Sequence, residues 1–299
     1  MNNYISVIII AYDRKEFLLE ALKSTVNQTL DRKNYEIIVV SNFNDKNIDE
    51  FILQNSIKSI YTDDTSLSGK LAIGIKNSSG NVISFLDDDD MFTEDKLEYI
   101  YNKFTDKVAY IHNNYITINK NGNKINYRNK GIDFNMSSIS IRKDVINSNV
   151  SKINRLLDAF MYFSAIGNGK IIKSKKVLTY YRLYDGNTSQ YYTKEEIKDN
   201  TKNIIIGYKQ LYNLFDRKVK KIISSRITAQ SIALHIEGED IEVKGFINYI
   251  LTYDRDGSIL YKLLVLAVFE IYRSKFGRKI VNKKLDTYIE HLNKIVRST

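Results

Sequence analysis

The first hundred residues repeat one rhythm, an apolar β-branched run followed by a segment of helical spacing, and few folds accept that rhythm. The runs are "YISVIII" at 4–10, "YEIIVVS" at 35–41, "KSIYT" at 58–62 and "NVISFLD" at 81–87. Continuous apolar runs suit strands covered on both faces, the usual condition of a parallel sheet. After the first run, Asp13 can cap a helix with Glu16 three residues on, and Phe17, Leu18, Ala21, Leu22 and Val26 follow at helical spacing. A helical piece at 48–53 and another over "SGKLAIGIKNSSG", ending near Gly80, complete the alternation. The pattern predicts an α/β sheet with crossover helices, in which ligands bind beyond the carboxyl ends of the strands. Asp13, Asn42 and the aspartates after the fourth run all follow strand ends, so they are predicted to share one rim.

Beyond residue 105 longer extended segments take over. They are "VAYIHNNYITINKNGNKINYR" with a turn at Asn121 and Gly122, then "SSISIRKDV", a helix around Leu156, Leu157, Phe160 and Phe163, and "GKIIKSKKVLTYYRLYDGNTS". From about 193 only amphipathic helices are predicted. A boundary near 190, in the polar "DGNTSQYYTKEE", divides a domain at 1–190 from a helical region at 191–299.

The fourth run ends in Asp87, Asp88, Asp89 and Asp90. Neighbouring carboxylates roughly 6 Å apart repel by about 0.7 kcal/mol per pair in water and about 3 at an effective dielectric of 20. A hard divalent cation with oxygen ligands, completed by a phosphate-bearing substrate, offsets that cost. The plain alternative is a solvated loop in which Asp90 or Thr93 caps a helix starting at Glu94. An EF-hand needs glycine and glutamate in register, a Walker B strand needs an upstream phosphate-binding loop, and a haloacid-type phosphatase needs Asp-x-Asp-x-Thr after its first strand; none is present.

Absence of cysteine excludes disulfides and thiolate metal sites, and His112, His235 and His291 have no metal-ligand spacing. The start lacks the features of a signal peptide, and the apolar stretch 258–272 is broken by Lys262 and Glu270, so a cytoplasmic chain without a membrane span is expected. The formal net charge is +10, and residues 191–299 hold 20 Lys and Arg against 13 Asp and Glu, hence +7 of it. "DRKVKKIISSR" and "YRSKFGRKIVNKK" set basic residues beside apolar ones. Such helices either lie on the inner face of an anionic membrane or pack together, in one chain or in a homo-oligomer, with their lysines solvated. Nucleic acid is disfavoured, since no recognition motif accompanies the charge and the aspartates repel phosphate.

Six pieces in order resemble family 2 glycosyltransferases of the GT-A fold: "SVIIIAYDR", "EIIVVSN", "GIKNSSGNVISFLDDDD", "SSISIRKDV", the helix bearing Asp158 and "VLTYYRLYDGNTS". The resemblance implies an inverting transfer of a sugar from a nucleotide-sugar donor to a hydroxyl of a glycan or lipid-linked acceptor, with Mn2+ or Mg2+. It places Tyr12, Asp13 and Asn42 by the base and ribose, Asp87 and Asp88 by the ribose and diphosphate, and Asp89 on the metal. Asp158 takes the position of the general base, although from spacing alone it is one exposed aspartate in an amphipathic helix. Lys70, beside Gly69 at a helix start, reads either as a phosphate contact or as a surface lysine. Ser41 and Asn42 stand where the family often has two aspartates, and Arg182-Leu183-Tyr184 stands for an Arg-x-His used by some members. A non-catalytic GT-A-like module and a sugar-phosphate nucleotidyltransferase are the alternatives, the latter without its usual glycine-rich loop.

Overall fold

The computed structural model describes residues 3–12, 15–125, 135–184 and 193–236. Contacts divide the chain into two compact units, Met1–Tyr184 and Asp185–Thr299.

In the first unit, β1 (Ile5–Ile10), α1 (Lys15–Val26), β2 (Tyr35–Ser41), α2 (Lys46–Gln54), β3 (Lys58–Tyr61), α3 (Leu67–Lys76) and β4 (Val82–Asp87) follow one another as the alternation predicts. Then come β5 (Met91–Phe92), α4 (Lys96–Lys103), β6 (Val108–Ile118), β7 (Ile139–Arg142), α5 (Leu157–Ala165) and β8 (Lys170–Arg182). The strands form one sheet in the order β3-β2-β1-β4-β7-β6-β8-β5. Its first four strands are parallel, with Ile10 of β1 level with both Val40 and Asp87, so β1, β2 and β4 end on the same rim. β7 reverses direction against β4 because it arrives from the extended segments after 105 and not from a crossover helix.

Both faces of β1 and β2 are covered, which is why their sequences run apolar without alternation. Ile5, Val7, Ile9, Tyr35, Ile37 and Val39 share a core with Leu18 and Leu22 of α1, Ile48 and Ile52 of α2, and Leu97 and Ile100 of α4. Ile8 and Val40 face α3 on the other side, where a Cβ on Gly74 would come within 2.6 Å of Ile8. Each isoleucine fully buried this way contributes roughly 2–3 kcal/mol. Gly80 admits a closer approach still: a Cβ there would lie 2.6 Å from Ser6 N and Tyr4 O, and its N–H donates to Ser6 Oγ (2.8 Å).

The helix after Asp90 starts at Lys96 with Asp95 at its cap position and no side-chain cap bond, so neither Asp90 nor Thr93 caps it. In the second unit, α6 (Lys194–Tyr212) opens on a capping box between Thr193 and Glu196, and α7 (Arg217–Ile236) packs against it; Tyr208 and Leu211 of the one and Val219 and Ile223 of the other are buried. Among the described residues no helix is long and apolar enough to cross a membrane. The basic stretch 272–284, the apolar stretch 258–272 and His291 lie outside the described residues.

Candidate active site

Asp90 N–H donates to Asp87 O (3.2 Å), closing a tight turn between β4 and β5. Successive side chains of a turn diverge, and the carboxylates of Asp88, Asp89 and Asp90 meet different partners. Asp88 Oδ2 accepts the Tyr12 N–H (2.8 Å), Asp89 Oδ2 accepts the Tyr184 hydroxyl (3.2 Å) and Asp90 Oδ1 accepts the Arg182 N–H (2.8 Å). Asp87 is half-buried, and its N–H donates to Ser137 Oγ (3.0 Å). Asp88, Asp89 and Asp90 are buried.

Three cationic side chains answer this charge from inside the protein. Lys70 has no exposed surface, which removes the surface-lysine reading. Its Nζ donates to Ala11 O (3.0 Å) and Asn42 Oδ1 (2.6 Å) and lies 4.9 Å from the centre of the Tyr12 ring. An ammonium offers only hydrogens, so the Asn42 oxygen must face it and the amide N–H2 is left for other partners. Burial pushes the Lys70 pKa down, opposed by Asp88 and Asp64. Lys96 is likewise buried, donating to Ser137 O and Thr179 Oγ1 (3.2 Å) above the Phe92 ring. Burial pushes Lys96 well down and Asp90 well up; Asp89 and Asp87 drive Asp90 further, while the charges of Lys96 and Asp90 favour each other. Arg182 is the third cation.

Thus Tyr12, Asn42, Lys70 and Asp88 form one bonded set at the strand ends, and Asp89 follows on the same turn. Tyr12 is 47% exposed, so its ring forms part of the rim surface. Asp13 lies outside the described residues. Asp158 comes from a later part of the chain. It occupies the first turn of α5, which packs on β6 and β7, two residues after Leu156 in a left-handed conformation (φ 61°, ψ 42°). Its Oδ1 accepts the Ala159 N–H (2.7 Å), and burial pushes its carboxyl up to about 6. The buried Tyr110 hydroxyl is pushed well up by burial first and by Asp158 second.

Lys96, Glu20 and Ser137 were not marked by the sequence: Glu20 and Ser137 come from distant segments, and Lys96, six residues beyond Asp90, carries no spacing signal that it turns inward. Among the described residues no three His, Asp or Glu side chains gather as a metal cage. A buried acidic turn without a cage suits a hard cation held by one or two carboxylates and by substrate phosphates, and Asp89 with Asp87 or Asp88 could supply the protein oxygens.

Residues 6–161 match the family model described as glycosyl transferase family 2. An uncharacterised glycosyltransferase of Rickettsia conorii is 35% identical over 134 residues, 43% of this chain and 22% of that protein. Glycosyltransferase GlyA of Streptococcus pneumoniae is 33% identical over 129 residues, 40% of this chain and 18% of that protein. The matches thus span about a fifth of the length of these curated relatives. Mannosyltransferase PcManGT from Pyrobaculum calidifontis, in complex with GDP-Man and Mn2+, superimposes with a TM-score of 0.59 at 10% identity over 98% of this chain and 86% of its own. TarS of S. aureus, in complex with UDP-GlcNAc, gives 0.58 at 16% identity over 83% and 79%. The solved structures share the GT-A fold, and a family match covering residues 6–161 of 299 makes this chain a member of glycosyl transferase family 2.

Proposed function

We propose that the chain is a metal-dependent, inverting glycosyltransferase that moves a sugar from a nucleotide-sugar donor to a hydroxyl acceptor in glycan, glycolipid or glycoprotein assembly. The observation that carries this reading is the bonded set at the strand ends. The acidic turn docks on the end of β1 through Asp88 and Tyr12, and Lys70 ties that end to Asn42. The sugar nucleotides held by PcManGT and TarS, and the Mn2+ in the former, support a similar donor and cation here.

In this mechanism the exposed Tyr12 ring offers a stacking surface for the base, and the Asn42 amide N–H2 offers donors. Asp89, with Asp87 or Asp88, would hold Mn2+ or Mg2+, which supplies positive charge against the leaving nucleoside diphosphate. Asp158 takes the proton of the acceptor hydroxyl as its oxygen attacks the anomeric carbon, the bond to the diphosphate breaks, and the configuration inverts. Raised to about 6, the Asp158 carboxylate is still ionised at neutral pH and is a stronger base than a solvated aspartate. The acceptor is a glycan or a lipid-linked saccharide, and the basic helices would bring the site to it at the inner face of the membrane.

The test is a calorimetric titration of UDP-, GDP- and dTDP-sugars with and without Mn2+, on the protein and on Asp89→Ala. Binding of one nucleotide that needs Mn2+ and vanishes in the variant is the expected result. A folded protein that binds none of them overturns the reading in favour of a non-catalytic module.

A further inference from the structure

Arg182 has the largest fully buried side chain among the described residues, and it closes β8 beside a site that would hold a diphosphate. Its contacts point inward. Nε donates to Asp89 O (2.8 Å), Nη1 donates to Lys120 O (2.5 Å) and Asn119 O (3.4 Å), and Nη2 pairs with Glu20 Oε2 (2.5 Å). The guanidinium carbon lies 4.5 Å from the centre of the Phe17 ring. Protein acceptors therefore occupy all three nitrogens, and no exposed surface remains for a ligand.

Two residues on, Tyr184 rests on the same Phe17 ring, with centroids 4.9 Å apart, and donates to Asp89 Oδ2. Asp89 is gripped twice, at its carbonyl by Arg182 and at its carboxylate by Tyr184. Both grips are seated on α1, where Phe17 and Glu20 lie one turn apart on a single face. A half-exposed Glu20 on a surface arginine would contribute little, but a guanidinium with no water around it depends on each acceptor it keeps.

We propose that Arg182 is a positioning residue of the donor site: anchored by Glu20, it fixes the backbone at Asp89 so that this carboxylate can hold the cation, and it does not bind the diphosphate itself. The inference rests on Asp89 being the cation ligand, as proposed above.

The experiment titrates UDP and GDP calorimetrically over a series of Mn2+ concentrations and without metal. The proteins are the wild type, Glu20→Gln, Glu20→Ala, Arg182→Lys and the double variant Glu20→Ala/Arg182→Lys. Glu20→Ala and Arg182→Lys should each raise the Mn2+ concentration for half-maximal nucleotide binding about tenfold, the scale expected when a group that orients a metal ligand is lost. The double variant should do no worse than the poorer single one, Glu20→Gln should recover much of the loss, and metal-free binding should not change. Additive losses, a wild-type Mn2+ dependence in Glu20→Ala, or weaker metal-free binding in Arg182→Lys would each overturn the clamp, the last by placing Arg182 on the diphosphate. Should Arg182→Lys fail to fold, Glu20→Ala decides alone. A wild type with no Mn2+-dependent binding removes the cation reading of Asp89 and the clamp with it, whereas a metal-dependent wild type with an indifferent Glu20→Ala removes the clamp only.

Discussion

Asp158 and Lys70 show what burial does to single ionisable groups at this site. As a base, Asp158 must be ionised, and its raised pKa of about 6 sets where ionisation fails. Turnover should therefore fall as pH drops through about 6, approaching tenfold per unit below it, and kcat measured from pH 4.5 to 8 checks this. Asp158→Asn should lower kcat by about 10²–10⁴-fold and leave nucleotide binding intact; an unchanged kcat would remove Asp158 from the chemistry. Lys70→Met would strip the buried Ala11 carbonyl and the Asn42 oxygen of their donor, at about 1–3 kcal/mol of stability, read from the urea midpoint. The helix position of both residues was legible in the sequence. How far each is covered was not, because that depends on which strands and helices pack over them.

At the scale of elements, the close packing of β1 turns on two glycines, Gly74 in α3 and Gly80 before β4. A methyl at Gly80 meets the β1 backbone, which cannot step aside as a side chain can. Gly80→Ala should cost about 1–3 kcal/mol. Gly122 offers a control: it has a φ of +80° but open space around it, so Gly122→Ala should cost only the left-handed penalty of about 1–2 kcal/mol, without a clash. A Gly80→Ala variant with the unfolding midpoint of the wild type would contradict the close-approach argument. The strands themselves were readable, since "SVIII" and "EIIVV" declare two-sided burial. The reversal of β7 was not, because a four-residue strand carries no mark of its direction.

For the whole molecule, charge is divided along the chain, with +7 of the +10 in residues 191–299. On α7 Val219 and Ile223 are buried while Arg217, Lys218 and Lys221 are exposed, so buried apolar positions and an exposed basic face coexist on one helix. If that face meets an anionic membrane, the protein should sediment with phosphatidylglycerol vesicles and not with phosphatidylcholine, be released by salt, and bind less as Lys218→Glu/Lys221→Glu. Failure to sediment with either vesicle would leave the lysines as solvated charge. The local pattern of residues determined the strands, most helices, the rim and the family, because hydrophobic period and turn chemistry act over a few neighbouring positions. Only the tertiary structure decided that Lys70 and Lys96 are buried, that Asp88, Asp89 and Asp90 meet different partners, and that Arg182 joins Asp89 to Glu20. Those bonds link residues far apart in the chain, where no spacing records who will meet whom, and only the assembled sheet and its helices bring them within reach.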